Sequence, residues 1–375
     1  MSEDVRLTRF GKDQQETMAD TKITEEQVIS ALRSVHDPDL RKDIVSLGMI
    51  HDVRICGGAV AFRFVLTTPA CPVREQLEGQ ARAAVQSIPG VEQVNVKMEA
   101  SVPKQRAIAE RKAIEGVSNI VAVTSGKGGV GKTTVAVNLA CALAKSGARV
   151  GLLDCDIYGP NVPIMLGVNE SPRADKQRIV PIEAYGMKVM SMGFLAQGDT
   201  PLIWRGPMLH GVIQQFLYQV IWGDLDYLVA DLPPGTGDAQ LTIMQSVPLS
   251  GGVVVTTPQD VALADARRGV MMFRQVDVEV LGIIENMSYF ICPHCNQRTE
   301  IFSSGGGEKT SRRYDVPFLG SIPLVTELRI AGDTGKPVVF EDERSPVAQA
   351  FFEIAQRLAA RVSTVNLQKP EPKPV

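Results

Sequence analysis

The chain has 375 residues, 44% of them apolar and 22% charged, with a formal net charge of −3. That length suits two domains with a sizeable core. The slightly acidic balance excludes a nucleic-acid-coating surface, and the absence of any run of about 18 apolar residues excludes a transmembrane helix.

Residues 1–22, MSEDVRLTRFGKDQQETMADTK, are polar and mixed in charge, which predicts a disordered segment, no secretion signal and a cytoplasmic protein. Thr24-Glu25-Glu26-Gln27 then forms a capping box ahead of Val28, Ile29, Leu32 and Val35 on one helical face. HDPDL, residues 36–40, reads as a turn. Val60–Leu66 and Val94–Met98 carry the two-residue period of half-buried strands, with a helix expected over Arg74–Gln86 between them. Residues 23–100 therefore read as a small α+β domain, and the charged, helix-compatible residues 101–118 as a linker.

From Ile120 the pattern changes to short, continuous apolar runs: IVAV, ARVGLLD, YLVAD, GVVVTT and VLGII. Strands apolar on both faces predict a mostly parallel sheet covered by helices on both sides, here over residues 119–364. Ser345-Pro346 marks the start of the last helix. Residues 365–375, ending in LQKPEPKPV, are predicted to be a disordered tail.

Gly126-Lys127-Gly128-Gly129-Val130-Gly131-Lys132-Thr133-Thr134 contains the G-x4-G-K-[ST] phosphate loop, after a predicted strand and before a predicted helix. Glycines let backbone N–H groups turn inward around phosphate oxygens, and the helix N-terminus adds its dipole. Lys132 would meet the β- and γ-phosphates of ATP, and the Thr133 hydroxyl would bind Mg²⁺. Asp154 and Asp231 each end an apolar run, at the sheet edge where α/β folds bind ligands. Asp231 suits a water-mediated Mg²⁺ role, and Asp156 could orient a water at the γ-phosphate. Asp238 reads as a helix N-cap. Together these features define an α/β P-loop NTPase preceded by a small α+β domain.

KGGVGKTT, DCDIYGPNVP, PLIWRGPML, DLPPGTGD and ENMSYFICPHC resemble, in order and spacing, the Mrp/ApbC family of P-loop ATPases. These are iron–sulfur cluster carriers related to the nitrogenase iron protein and to MinD and ParA. The resemblance covers about residues 100–360; residues 24–100, with DPDL and LTTPACP, resemble the cluster-assembly domain that often precedes this ATPase. It implies that Lys127 reaches across a homodimer to the partner's nucleotide, and that Asn286 contacts adenine. A cation supplied in trans would stabilise phosphoryl charge as an arginine finger does.

Six cysteines are too few for a disulfide scaffold in a chain of this length, and the pair Cys292-Pro293-His294-Cys295 invites three readings. A zinc knuckle needs four ligands, and there is no second CxxC. A thioredoxin-type redox pair should open a helix after a strand. The third reading is half a metal site: twofold symmetry would bring two pairs together to bind one [4Fe–4S] cluster. His294 is not expected to be a ligand, and Asn296 stands where the family often has glycine. Cys71 sits before a helix and could pass a cluster or simply pack; Cys56, Cys141 and Cys155 read as packing residues. The resulting expectation is a weak ATPase that carries a [4Fe–4S] cluster between scaffold proteins and apo iron–sulfur proteins, binding neither nucleic acid nor membrane. A partition-type ATPase and a carrier of another metal are the alternatives.

Overall fold

Alternation builds the first unit. In a computed structural model, which describes residues 23–105, 112–156, 159–176, 178–194, 206–235, 240–241, 244–245, 247–295 and 297–368, the chain divides into two compact units. For residues 206–210 only the backbone is described. The predicted segment 1–22, the Asp238 cap, Asn296 and residues 369–375 lie outside the described residues, as does most of PLIWRGPML. The first unit runs to Asp37 and takes in Arg41–Phe64 and Glu75–Lys97. Its sheet orders β1 (Ile50–Cys56), β2 (Ala59–Leu66) and β3 (Gln93–Ala100). Along β2, Val60, Phe62 and Phe64 are buried and the residues between them are not, as a two-residue period requires. Helix α1 (Glu25–Leu32) turns Val28 and Leu32 inward, and α2 (Arg74–Gln86) buries Leu77, Ala81 and Val85, four residues apart. The capping box at Thr24 and Gln27 forms on both sides.

The second unit takes Pro38–Leu40, Val65–Arg74 and Met98 onward, so the loop bearing Cys71 belongs to it. Its strands are β4 (Ile120–Ser125), β5 (Val150–Asp154), β6 (Ile182–Ala184), β7 (Met187–Ser191), β8 (Tyr227–Asp231), β9 (Gly251–Thr256), β10 (Val280–Glu285) and, after a small hairpin of β11 (Phe290–Ile291) and β12 (Arg298–Thr299), β13 (Phe318–Ser321). One eight-stranded sheet follows the order β6-β7-β5-β8-β4-β9-β10-β13. Every neighbouring pair is parallel except the β6–β7 edge.

Both faces of that sheet are covered, which is why its strands read as unbroken apolar runs. On one face Val121, Val123, Leu152 and Val229 pack with Leu139 and Leu143 of α3 (Lys132–Lys145) and with Phe351, Leu358 and Val362 of α9, the terminal helix Pro346–Gln368. On the other, Ala122, Leu153, Leu228 and Val254 pack with Phe216 of α5 (Gly206–Tyr218) and with Val270 and Phe273 of α6 (Asp260–Gln275). Shorter helices α4 (Val162–Met165), α7 (Gly306–Tyr314) and α8 (Thr326–Thr334) sit in the connections. The expected α/β fold and its small α+β partner are both present.

Four details differ from the sequence reading. Cys56 is exposed at the end of β1, not a packing residue, because its neighbours in that strand alternate and it falls on the outer face. The expected tail begins too early: α9 runs to Gln368 because Val365 and Asn366 face inward, and Asn366 Nδ2 donates to Asn119 Oδ1 at 2.7 Å. The described parts of the linker hold no helix. Strands β1, β7 and β13, absent from the sequence reading, are interrupted by charge or glycine and so lack a continuous apolar run.

Candidate functional site

The parallel register sets the site. Asp154 lies opposite Asp231 across β5 and β8, so two carboxyls meet at the carboxyl edge of the sheet. The phosphate loop leaves β4 beside them and enters α3 at Lys132. Gly129 and Gly131 both have φ of 80°, a left-handed conformation that favours glycine. A Cβ at Gly131 would also lie 2.3 Å from Asn286 Nδ2, and one at Gly126 would lie 2.3 Å from the Asp265 backbone. Gly131 is demanded by space as well as by rotation, and Gly126 by space.

Lys132 is buried and donates to Asp231 Oδ1 at 2.6 Å; Asp156 Oδ2 is 3.8 Å away. Thr133 Oγ1 donates to Asp231 Oδ2 at 2.7 Å. Asp231 therefore holds both the lysine and the hydroxyl that a nucleotide and its metal would engage. Asp154 accepts from Ser191 Oγ at 2.8 Å and from the Asp156 backbone N–H at 3.0 Å. Burial, then the charge of Asp231, pushes the Asp154 carboxyl up to about 7. Burial raises Asp231 as well, against the pull of Lys132 and Thr133. Lys127 is half-buried; its carbonyl accepts from Ser125 Oγ at 2.9 Å, and its ammonium forms no ion pair among the described residues.

A cavity of about 230 Å³ opens beside Gly131 and Thr134, lined by Met165, Asn286, Met287, Leu324 and Leu328 among others. Its lining is mostly apolar, with the Asn286 carboxamide and the ion-paired Arg329 and Asp333 as polar groups, a composition that suits a nucleobase. Asn286 is buried; its Nδ2 donates to Val130 O at 2.9 Å and its Oδ1 accepts from Met287 N–H. Sequence reasoning found Asn286 but missed Met165, Leu324 and Leu328. The signal was there: the PLVTEL stretch follows a strand of the same sheet, at the edge where ligands bind.

Cys292 and Cys295 sit at the tip of the β11–β12 hairpin, where Cys292 N–H donates to Gln297 O at 3.0 Å. Cys292 is half-buried and Cys295 exposed. The His294 and Cys295 backbone N–H groups, followed by the Cys295 thiol, hold the Cys292 thiol below its usual pKa. Among the described residues, no three His, Cys, Asp or Glu side chains are grouped to hold a metal. The pair occupies a hairpin turn, not the first turn of a helix as a thioredoxin-type motif requires. Cys141 and Cys155 are buried, and burial raises both thiols.

A parallel sheet with a phosphate loop running into a helix, and two acidic strand ends beside it, defines a P-loop NTPase. Residues 116–359 match the family described as the NUBPL iron-transfer P-loop NTPases, and residues 25–98 match the iron–sulfur cluster assembly proteins. The chain belongs to this iron-transfer NTPase family. It is 54% identical to an iron–sulfur cluster carrier protein of Synechocystis sp., over 92% of this chain and 99% of that one. It is 42% identical to an iron–sulfur cluster carrier protein of Escherichia coli, over 89% of this chain and 91% of that one. A solved nucleotide-binding protein from Archaeoglobus fulgidus in complex with ADP is 39% identical, with a TM-score of 0.56, covering 64% of this chain and 93% of that one. No helix among the described residues is long and apolar enough to cross a membrane.

Proposed function

We propose that the chain is an ATP-driven carrier of a [4Fe–4S] cluster, held between the Cys292/Cys295 pairs of a homodimer and passed to apo iron–sulfur proteins. The observation that carries this reading is a pair of thiols on an exposed hairpin, with backbone donors favouring the thiolate and no third ligand grouped with them among the described residues. Two ligands are half of what a cluster needs, and a twofold axis supplies the rest. An exposed seat between subunits also suits cargo that must leave.

ATP fits the other site by its donors: turned-in glycines, Lys132, and an apolar pocket beside Gly131. Thr133 and Asp231 would hold Mg²⁺, which neutralises charge on the phosphate oxygens. Lys132 would move from Asp231 to the β- and γ-phosphates. Asp156 would orient a water for in-line attack on the γ-phosphorus, breaking the bond to ADP. Lys127, without an ion pair of its own among the described residues, is free to act across the dimer on the partner's nucleotide. Hydrolysis would be slow and would bias the dimer between holding and releasing its cargo.

Anaerobic purification followed by iron, zinc and sulfide analysis tests the reading. Iron and sulfide in equal amounts are expected, lost together in the Cys292→Ala/Cys295→Ala variant while ATP turnover persists. Stoichiometric zinc with no uptake of iron would refute it.

A further inference from the structure

Glu285 is the last residue of β10 and is fully buried. A buried carboxylate is tolerated only when its oxygens find donors. Here there are three: Oε1 accepts from Ser288 Oγ at 2.5 Å and from Gly305 N–H at 3.0 Å, and Oε2 accepts from Gly307 N–H at 2.5 Å. Ser288 precedes the cysteine hairpin, whereas Gly305 and Gly307 follow it. One side chain therefore closes the base of the loop whose tip carries Cys292 and Cys295.

Each foot is seated further. On the first, Ser288 N–H donates to Ile322 O at 3.0 Å, and Tyr289 O accepts from Leu324 N–H at 2.7 Å. On the second, an added Cβ at Gly307 would lie 3.0 Å from Glu285 Cβ, and one at Gly306 would lie 2.5 Å from Leu263 Cδ1. Gly307 lets the second foot approach Glu285, and Gly306 lets it pass Leu263. Met287 and Ser303, one in each foot, hold φ of 55° and 70°. Left-handed backbone at non-glycine residues is uncommon and is retained where surrounding bonds fix it.

The other side of Glu285 leads to the nucleotide. The next residue, Asn286, holds the Val130 carbonyl of the phosphate loop and lines the apolar pocket. The path from Val130 to the two feet runs through two adjacent residues and five hydrogen bonds or peptide links, all within the second unit.

We propose that Glu285 is the positioning residue that couples the nucleotide loop to the cysteine pair, by clasping both feet of the hairpin beside the residue that reads the loop. The proposal rests on the carrier reading above. A nucleotide that reorganises the Val130–Gly131 backbone shifts Asn286, and Glu285 carries that shift to both feet at once.

The test uses full-length protein reconstituted with iron and sulfide. ATP affinity is measured, and the rate of iron loss to a chelator is compared with and without ATP. In the wild type ATP changes that rate; in Glu285→Gln, which turns one acceptor oxygen into a donor facing an N–H, the ratio falls to about one, the value for no coupling, while ATP affinity is unchanged. Ser288→Ala, which leaves the two backbone donors, gives an intermediate ratio and serves if Glu285→Gln does not fold. A second readout needs no cluster: the alkylation rate of Cys292 and Cys295, with Cys56 and Cys71 replaced by serine, responds to ATP in the wild type and not in Glu285→Gln. An undiminished ATP response in both variants, or no ATP response in the wild type, overturns the clasp. A wild type that takes up no iron and sulfide defeats the carrier reading instead, and the alkylation readout then judges the clasp by itself.

Discussion

Lys132 is 6% exposed and paired with Asp231 at 2.6 Å, whereas Cys295 stands exposed at the tip of a two-strand hairpin. The phosphate loop is rooted in the sheet, with the charge of Lys132 matched inside the chain. The cysteine hairpin is held at its feet, and in the proposed function its two thiols are half of a ligand set. The contrast separates two kinds of binding. A substrate that is cleaved needs preorganised charge in a dry place. Cargo that must be handed over needs an open seat that a second chain completes.

The sharpest break of that contrast is at Lys132. Lys132→Ala is expected to abolish ATP binding and turnover. It also leaves Asp231 buried without its counter-charge, so the variant should melt lower, by about 3–5 kcal/mol in stability if Asp231 stays ionised. Calorimetry and an ATPase assay check both; wild-type turnover would remove this loop from the chemistry.

Lys127 sharpens the contrast, because it is the one loop lysine expected to act outside its own chain. Lys127→Ala should keep nucleotide affinity and lose turnover by about 10³-fold, the scale of a cation supplied in trans. Mixing it with Asp156→Ala should restore part of the activity in the heterodimer. Full activity of Lys127→Ala alone would make it a solvated loop residue.

The smallest effect is on stability against pH. Asp154 in the nucleotide-free fold is pushed up to about 7, against about 3.9 for an unfolded aspartate. Between those values the unfolded chain binds fewer protons than the folded one, so Asp154's contribution to stability is fully present below about pH 4 and falls as pH rises towards 7. Asp154→Asn should flatten that part of the melting-temperature profile by several degrees relative to wild type. Parallel profiles would show that Asp154 does not titrate there.

Much of the first site was legible because its signals are local. A glycine loop between a strand and a helix, and an aspartate closing an apolar run, are written in consecutive residues. The pairing of Lys132 with Asp231 was not, since it depends on parallel register between segments a hundred residues apart in sequence. The apolar pocket beside the phosphate loop was half legible for the same reason: Asn286 follows a recognisable strand, but Met165 and Leu328 reach the pocket from separate helices. Spacing pointed to the cysteine pair, and its flanking residues already read as a knuckle or loop and not as a helix-opening redox motif; the hairpin agrees with that reading. Cys56 was misread because a strand with no apolar run hides which face a residue takes. The last helix was cut short because its proline-rich ending dominated the composition of residues that pack inward.

The most direct measurement of the claim that two chains complete one cluster site is iron and sulfide content in a mixed dimer. The wild-type homodimer is expected to hold about four iron and four sulfide per two chains. A purified heterodimer of one wild-type chain and one Cys292→Ala/Cys295→Ala chain should hold none, because only two thiolates remain. Half the wild-type iron in that heterodimer, or four iron per single chain in the wild type, would place the whole site within one chain and contradict the account.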